Sequence, residues 1–151
     1  SQKIKLIIGS TDCIDFVDAG IENLPCRITT GASISAIHAS RIRIIEVNGV
    51  EQLSFKLLDK KHPEYNGLEI RTSEFKEKRI RNSFGQAEDR YRVKLKIRLF
   101  GKIFNTFFTL TDRKKMNYPL LLGKSFLSGK FLVDVSLNNI SYNQKIKIKN
   151  S

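Results

Sequence analysis

Apolar and polar residues alternate with a period of two along most of the chain, which is the pattern of half-buried β-strands. The early strands that this pattern predicts are Lys3–Ile8, Leu24–Ile28, Ile42–Val47 and Gln52–Leu58. Glycines separate these runs, and the polar stretch Asp59–Gly67, with its proline and Asn-Gly pair, is predicted to be a surface loop.

The strongest strand signal is the segment Arg90–Leu99. Its odd-numbered positions, from Tyr91 to Leu99, are all apolar, and its even-numbered positions are all basic. Because alternate side chains of a strand point to opposite faces, this segment should have one buried face and one cationic face. A slip of one residue would bury the basic side chains, so we expect the register of this strand to be firmly fixed.

Tight turns are predicted on both sides of this strand. Phe100-Gly101-Lys102 leads into Ile103–Thr111, a run rich in β-branched and aromatic residues, which predicts a hairpin. Upstream, Ser83-Phe84-Gly85-Gln86 follows Arg79–Asn82 and predicts a second hairpin turn.

The last third of the chain supplies one short helix and two closing strands. Ser125–Gly129, preceded by Gly123, is the one predicted helix, and Lys130–Val135 and Ile140–Ile148 are predicted strands. Many short strands with frequent turns favour an all-β barrel or sandwich. The length of 151 residues suits one domain, residues 1–151.

Charge adds a functional constraint because it is unevenly distributed. The chain has 27 Lys+Arg and 15 Asp+Glu, a formal net charge of +12. Residues 1–75 carry 9 basic and 10 acidic side chains, whereas residues 76–151 carry 18 basic and 5 acidic ones. Such a field favours an anionic partner. No run approaches ~18 consecutive apolar residues, so we expect neither a membrane span nor a membrane partner.

Cysteines and histidines predict neither a metal site nor a cofactor. Cys13 and Cys26 are the only cysteines, and we expect two reduced, semi-buried thiols, although one bridge would be compatible with the sequence. His38 and His62 do not combine with them at zinc-binding spacing, and no Gly-rich phosphate loop occurs. The compartment is left open, with the cytoplasm slightly favoured.

Two segments are more specific than generic strands. The first, residues 24–39, reads Leu-Pro-Cys-Arg-Ile-Thr-Thr-Gly-Ala-Ser-Ile-Ser-Ala-Ile-His-Ala. The second runs from Leu110-Thr111-Asp112-Arg113 through Met116–Lys124 to Phe131-Leu132-Val133-Asp134. With Gly85–Tyr91 between them, they resemble the retropepsin-like proteins of bacteria and archaea long labelled ATP-dependent zinc proteases, which are relatives of the pepsin and retroviral aspartic proteases.

This resemblance implies a closed all-β acid-protease barrel with an active-site loop and a supporting segment beside it. The family's loop reads Asp-Thr-Gly-Ala, and the matching residues here are Thr29, Thr30 and Gly31. Gly31 would let the loop turn tightly, and Thr30 would hold it by hydroxyl hydrogen bonds. The supporting segment would be Leu121, Leu122 and Gly123. The ATP and zinc of the family label find no support in these residues.

The chain departs from the family at the catalytic position, because Thr29 stands where the motif has its aspartate. Aspartic proteolysis uses two carboxylates that share one proton, and two copies of a one-motif chain supply the pair across a two-fold axis. A threonine hydroxyl does not ionise near neutral pH, so two copies of Thr29 cannot form this dyad.

Other acid or base groups are candidate substitutes for the aspartate. Asp12, Asp15 and Asp18 lie in a segment predicted to be a loop before the strand, and Asp134 lies at a strand end that the resemblance implies is structural. None occupies the matched position. A nucleophilic Thr29 would need an adjacent base, and His38 lies nine residues further on, which makes this pairing the weaker interpretation.

The cationic stripe, defined as Arg90, Arg92, Lys94, Lys96 and Arg98, is the second candidate site. It is either a solvated strand face whose charge prevents edge pairing or a polyanion-binding surface. Arg79 and Arg81 are expected on the neighbouring strand. Nucleic acid is not favoured, because Tyr91 falls on the apolar face and the sequence shows no aromatic residue among the charges.

Together these observations predict a homodimeric aspartic peptidase homologue that is catalytically impaired but keeps a peptide-binding cleft. The alternatives left open are a working peptidase with an unrecognised acid or base and a polyanion-binding β-domain. Some relatives are associated with enzymes that add glutamates to proteins, so the resemblance implies a peptide or acidic polypeptide as partner. Ile140–Ile148 is the strand expected to pair between subunits.

Overall fold

The structure, a computed structural model, describes residues 4–81 and 84–150. Strands account for 54% of it and helices for 12%, which confirms the all-β prediction. The strands are β1 (Leu6–Ile8), β2 (Thr11–Phe16), β3 (Ile21–Ile28), β4 (Ser35–Val47), β5 (Val50–Leu57), β6 (Glu69–Thr72), β7 (Phe75–Arg81), β8 (Ala87–Leu99), β9 (Lys102–Thr111), β10 (Leu120–Leu122) and β11 (Phe131–Val133). The α-helices are α1 (Lys124–Leu127) and α2 (Ile140–Lys149), and a short 3-10 helix covers Val17–Ala19.

Six strands form a hydrogen-bonded ring in the order β10-β3-β2-β8-β9-β4. The short β10 closes it, because it pairs in parallel with β3 and antiparallel with β4. β5 and β6 extend the sheet from β4, and β7 pairs with β8 outside the ring. The closed arrangement implied by the resemblance is therefore confirmed, and it brings the end of β3 next to β10.

The core follows the predicted alternation. On β8 the side chains of Val93, Ile97 and Leu99 are buried, whereas Lys94 and Arg98 are exposed. The hairpin with β9 is in register over the whole pairing, from Tyr91 opposite Leu110 to Leu99 opposite Lys102. The prediction that one face of this strand is apolar and the other cationic is therefore confirmed.

Most predicted elements overlap observed ones. The predicted loop Asp59–Gly67 contains no helix or strand, and α1 overlaps the predicted helix Ser125–Gly129 but begins one residue earlier and ends two residues earlier. The turn predicted at Ser83–Gln86 joins β7 to β8, which pair antiparallel. Lys3, Asn82 and Ser83 lie outside the described residues.

The prediction of a closing strand at Ile140–Ile148 is wrong, because this segment forms helix α2. Its period-two alternation of isoleucine and lysine is overridden by tertiary contacts at the start of the helix. The carboxylate of Asp12 accepts the backbone N–H groups of Ser141 and Tyr142 at 2.9 and 3.0 Å. These first-turn N–H groups have no partner within a helix, so a buried carboxylate beside them favours helix over strand.

The prediction of a loop around Asp12–Asp18 is also wrong in its first part, because Thr11–Phe16 forms strand β2. The alternating pattern of a strand is not visible in this segment, because two of its buried positions hold aspartates. Asp12 is only 1% exposed, and Asp15 is 6% exposed. Both carboxylates are compatible with a buried strand because α2 and its neighbours satisfy them.

Cys13 and Cys26 lie on the paired strands β2 and β3 as free thiols. Cys13 is opposite Pro25, whereas Cys26 is opposite Asp12, so the two cysteines belong to opposite faces of the sheet. Burial raises the pKa of the Cys26 thiol well above its ordinary value. The structure therefore agrees with the expected pair of reduced thiols.

A separate two-stranded sheet is formed by β1 and β11 in parallel. Its inner residues, Ile8 and Phe131, are buried, and Phe131 packs on the rings of Phe100 and Phe126. Its outer residues, Ile7 and Leu132, lie side by side and are 51% and 55% exposed. No helix in the described ranges has the length and apolar character needed to cross a membrane.

Candidate functional site

The loop after β3 is held against the turn after β10 by a set of backbone hydrogen bonds. The N–H of Thr29 donates to the carbonyl of Leu122 at 3.0 Å. In return, the N–H groups of Lys124 and Ser125 donate to the carbonyls of Ala32 and Ser33 at 2.8 and 2.9 Å. The structure thus brings the predicted loop and the predicted supporting segment together, although their assignment to a reaction stays a prediction.

Gly123 is the point of closest approach between these two segments. A Cβ atom added there would lie 2.9 Å from the carbonyl oxygen of Ala32 and 2.9 Å from the backbone of Ile34. Its N–H donates to the hydroxyl of Ser35 at 3.0 Å, and Ser35 is fully buried. Ser35 lies within the motif of residues 24–39, but the sequence alone does not identify it as a site residue. Its contact with Gly123 does.

The hydroxyl that holds the loop belongs to Thr29 and not, as the resemblance implied, to Thr30. The hydroxyl of Thr29 accepts the N–H of Gly31 at 3.1 Å. Thr30 is exposed, and its hydroxyl makes no hydrogen bond within the described part of the chain. The hydrogen bond that holds the loop therefore comes from the residue at the aspartate position.

Gly31 does not use the conformational freedom of glycine. Its φ lies outside the left-handed region that Gly20 and Gly49 adopt. An added Cβ would meet only the Thr29 hydroxyl oxygen, at 3.4 Å, which is an ordinary contact. The expected role of Gly31 in a tight turn finds no support in its backbone angle.

Of the four carboxylates that could substitute for the missing aspartate, Asp12, Asp15 and Asp134 are engaged elsewhere. Asp12 binds the first turn of α2, and burial raises its pKa despite the N–H groups that it accepts. Asp15 accepts Nζ of Lys145 with both oxygens, at 3.0 and 2.9 Å. Asp134 accepts the hydroxyl and N–H of Ser136, and these hydrogen bonds lower its pKa. Asp18 lies in the exposed 3-10 helix after β2.

His38 lies at the other end of β10 from Thr29. Its N–H donates to the carbonyl of Pro119 at 2.7 Å, whereas the Thr29 N–H contacts Leu122, three residues further along. At ~3.3 Å per residue the two sites are about 10 Å apart along the strand. A direct pairing of the Thr29 hydroxyl with this histidine is therefore not supported.

The side chain of His38 instead joins three segments of the chain. It is 4% exposed, with Nε2 2.8 Å from a carboxylate oxygen of Asp59 and Nδ1 accepting the N–H of Arg113 at 2.9 Å. The hydrogen bond with His38 lowers the pKa of Asp59. The imidazole of His38 therefore ties β4 to the loops after β5 and β9. The described residues contain no cluster of three His, Cys, Asp or Glu side chains that would hold a metal ion.

The cationic stripe lies on the outer face of β8, as predicted, but its surroundings differ from the expectation in two respects. Arg79 and Arg81 are on the neighbouring strand β7, where Arg79 pairs with Asp89 and so belongs to the opposite face. The expectation that the charged face lacks aromatic residues is wrong, because Phe107 of β9 lies opposite Lys94. This placement follows from the observed pairing of Leu99 with Lys102, which makes the hairpin turn one residue shorter than the predicted Phe100–Lys102.

Comparisons with known proteins place this loop and its support in a family. The model of the RimB-like family, described as retropepsin-like aspartic endopeptidase RimB, matches residues 7–144. A crystal structure of a Legionella pneumophila protein of unknown function superposes with a TM-score of 0.72 and 26% identity, covering 91% of this chain and 99% of that one.

Longer relatives also share this region. A protein of Shewanella pealeana named "Probable alpha-L-glutamate ligase" is 35% identical over 87% of this chain. A protein of the same name from Desulfotalea psychrophila is 29% identical over 91% of this chain. The chain spans only 29% and 30% of their lengths, and their name differs from the label ATP-dependent zinc protease. Because the family model covers nearly the whole of the ring and its loop, the chain belongs to the RimB-like family of retropepsin-like aspartic endopeptidases.

Proposed function

We propose that this chain is a retropepsin-like peptidase homologue that binds extended peptides but does not cleave them by the aspartic mechanism. The observation that carries the proposal is Thr29, whose hydroxyl stands at the motif's carboxyl position and accepts the Gly31 N–H at 3.1 Å. A hydroxyl there cannot take part in the shared-proton chemistry that activates water and protonates the substrate carbonyl.

The hydrogen bonds around the loop are a second observation that supports this proposal. The loop keeps its hydrogen bonds to the Gly123 turn, so the scaffold that would position a catalytic group is complete. At the same time, Asp12, Asp15 and Asp134 are each bound to other partners. The loop scaffold is present, but these three carboxylates are not available to replace the missing aspartate. This combination fits a peptide-binding role better than catalysis by another carboxylate.

Peptidase assays on the purified chain test this proposal directly. We expect no pepstatin-sensitive cleavage of a mixed peptide library between about pH 3 and pH 7, the range in which carboxyl dyads of this class work. Pepstatin-sensitive cleavage at any pH in that range would overturn the proposal. Independent preparations guard against a contaminating protease, because a contaminant's activity would vary between preparations relative to the amount of the chain.

We propose an acidic, glutamate-containing peptide as the ligand class for the cleft. The support is the net charge of +12 and the name of the longer relatives, which refers to glutamate ligation. Calorimetry with short oligoglutamate, oligolysine and neutral peptides tests the choice. Thr30→Trp should obstruct the loop and weaken binding, whereas Val50→Trp, at the β4–β5 turn, should not. Equal affinity for all three peptides would contradict the assignment.

We propose further that two copies of the chain associate, with the outer face of the β1–β11 sheet in the interface. Each copy supplies one loop, so a cleft with two walls needs a second copy. The segment expected to pair between subunits, Ile140–Ile148, forms helix α2 and cannot pair as a strand. The support for an interface is instead that Ile7 and Leu132 are adjacent and more than half exposed. Two exposed apolar side chains that lie side by side on one face favour burial of that face against a second chain.

Light scattering and a pair of charge variants test the dimer. We expect the native chain to be dimeric and Leu132→Glu to be monomeric, because the new carboxylate would be buried unpaired. Ile44→Glu is the matched control, since Ile44 is 43% exposed on the β4–β5 hairpin. A native chain that stays monomeric up to about 1 mM, or a dimer unaffected by Leu132→Glu, would contradict this interface.

A further inference from the structure

The cationic stripe is part of a larger positive surface on the outer sheet face. In the β7–β8 pairing Lys76 lies opposite Arg92 and Lys78 lies opposite Arg90, so both lysines share the face of the stripe. We call this surface the cationic face, and it comprises Lys76, Lys78, Arg90, Arg92, Lys94, Lys96 and Arg98. From Arg90 to Arg98 it runs about 27 Å along β8 at ~3.4 Å per residue.

Carboxylates neutralise only the two ends of the cationic face. Glu88 contacts Arg90 at 2.6 Å, and Asp15 is 4.0 Å from Arg98. Within residues 4–81 and 84–150, no carboxylate oxygen lies within 4.0 Å of the cationic groups between these ends. These groups belong to Lys76, Lys78, Arg92, Lys94 and Lys96. Clustered like charges of this kind repel one another, and an anionic ligand would relieve the repulsion.

An aromatic ring lies among these unpaired cations. Phe107 is 46% exposed, the guanidinium carbon of Arg92 lies 4.6 Å from its ring centroid, and Nζ of Lys94 lies 5.2 Å from it. Beside the ring is a concave surface of about 320 Å³ to which Lys76, Arg92 and one carboxylate residue, Glu74, contribute. The cationic face therefore combines a row of positive charge with a π-surface and a guanidinium plane.

We propose that the cationic face binds single-stranded nucleic acid, with phosphates along the cations of β8 and a base stacked on Phe107 and Arg92. Stacking on exposed aromatic and guanidinium planes is how single strands are held without sequence readout. An acidic peptide would use the charges but gain nothing from Phe107. The bases of a duplex are stacked on one another and do not reach a ring on the surface of a sheet.

Salt dependence tests the electrostatic half of the proposal. We expect labelled oligo-dT and oligo-U to bind with a slope of log K against log salt of about −3 to −4, which corresponds to roughly five neutralised phosphates. The triple variant Lys76→Gln, Lys94→Gln, Lys96→Gln should reduce the magnitude of this slope by about 2. The matched control Lys60→Gln, Lys147→Gln, Lys149→Gln has the same net charge and should keep the slope. A flat salt dependence, or an equal loss in the control, would overturn the proposal.

Variants of Phe107 test the stacking half, with all cations intact. Loss of one stacked base is worth ~1–3 kcal/mol, so Phe107→Leu should weaken binding about 5- to 150-fold. Phe107→Trp should restore it, and because the chain has no other tryptophan, its emission should be quenched on binding. Unchanged affinity of Phe107→Leu would overturn the proposal. So would oligoglutamate or anionic phospholipid vesicles that bind this face more tightly than oligo-dT and oligo-U.

Discussion

At the scale of single residues, Gly123 determines how closely the supporting turn can approach the loop. A methyl group there would lie 2.9 Å from backbone atoms of Ala32 and Ile34, which cannot move aside as a flexible side chain would. We predict that Gly123→Ala lowers the free energy of unfolding by about 1–3 kcal/mol, the usual cost of overpacking. Urea unfolding measures this cost.

Gly31→Ala is the matched control for this prediction. It also adds one methyl group, but at a site where the nearest atom is the Thr29 hydroxyl oxygen at 3.4 Å. We expect its effect to stay within about 0.5 kcal/mol. Equal destabilisation by the two substitutions would show that the Gly123 contact is not special.

The residues of the loop were largely predictable, because Thr29, Gly31 and Gly123 carry a recognisable order in the sequence. Their hydrogen bonds were not. Whether Thr29 or Thr30 holds the loop depends on which hydroxyl points inward, which only the folded backbone decides. Phe107 was missed for a related reason, since its face follows from the pairing of β9 with β8 rather than from its own segment.

At the scale of elements, helix α2 depends on a carboxylate that lies 129 residues away in sequence. Asp12 accepts the N–H groups of Ser141 and Tyr142, and Lys145 adds an ion pair to Asp15. We predict that Asp12→Ala destabilises the protein by about 1–3 kcal/mol, because buried N–H groups lose their acceptor. Amide exchange at Ser141 and Tyr142 should become faster than in the remainder of the fold.

Asp18→Ala is the control, because Asp18 is an exposed carboxylate near the end of the same segment. It should change stability by less than about 0.5 kcal/mol. If Asp12→Ala left the exchange of α2 unchanged, the capping account of this helix would fail. The same dependence explains why the sequence indicated a strand here: alternation of isoleucine and lysine is a local signal, and the deciding partner is distant.

At the scale of the whole molecule, several carboxylates make stability depend on pH. Hydrogen bonds from His38 and Lys61 lower the pKa of Asp59, and those from Lys114 and Ser136 lower the pKa values of Asp112 and Asp134. A lowered folded-state pKa contributes stability that is present above the ordinary value of 3.8 and is lost as pH falls through the folded value. Asp12, whose pKa is raised, contributes in the opposite direction.

We therefore predict that the urea midpoint falls as pH is lowered from about 4 to 2, because in the folded protein these carboxylates gain protons only below their ordinary pKa of 3.8. Asp59→Asn should flatten this dependence, because asparagine cannot titrate, whereas Thr30→Ala, which removes no titratable group, should leave it unchanged. A urea midpoint that rises throughout this window would mean that buried groups such as Asp12 dominate, contrary to the prediction.

The central claim is that a complete retropepsin-like scaffold has a hydroxyl where cleavage needs a carboxyl group, and replacing Thr29 by aspartate tests it most directly. The Gly31 N–H already points at this side chain and would stabilise a carboxylate there. We predict that Thr29→Asp gains pepstatin-sensitive peptidase activity under acidic conditions, whereas Thr30→Asp, one residue along, stays inactive. A folded, dimeric Thr29→Asp protein without activity, or a native chain with it, would contradict the account.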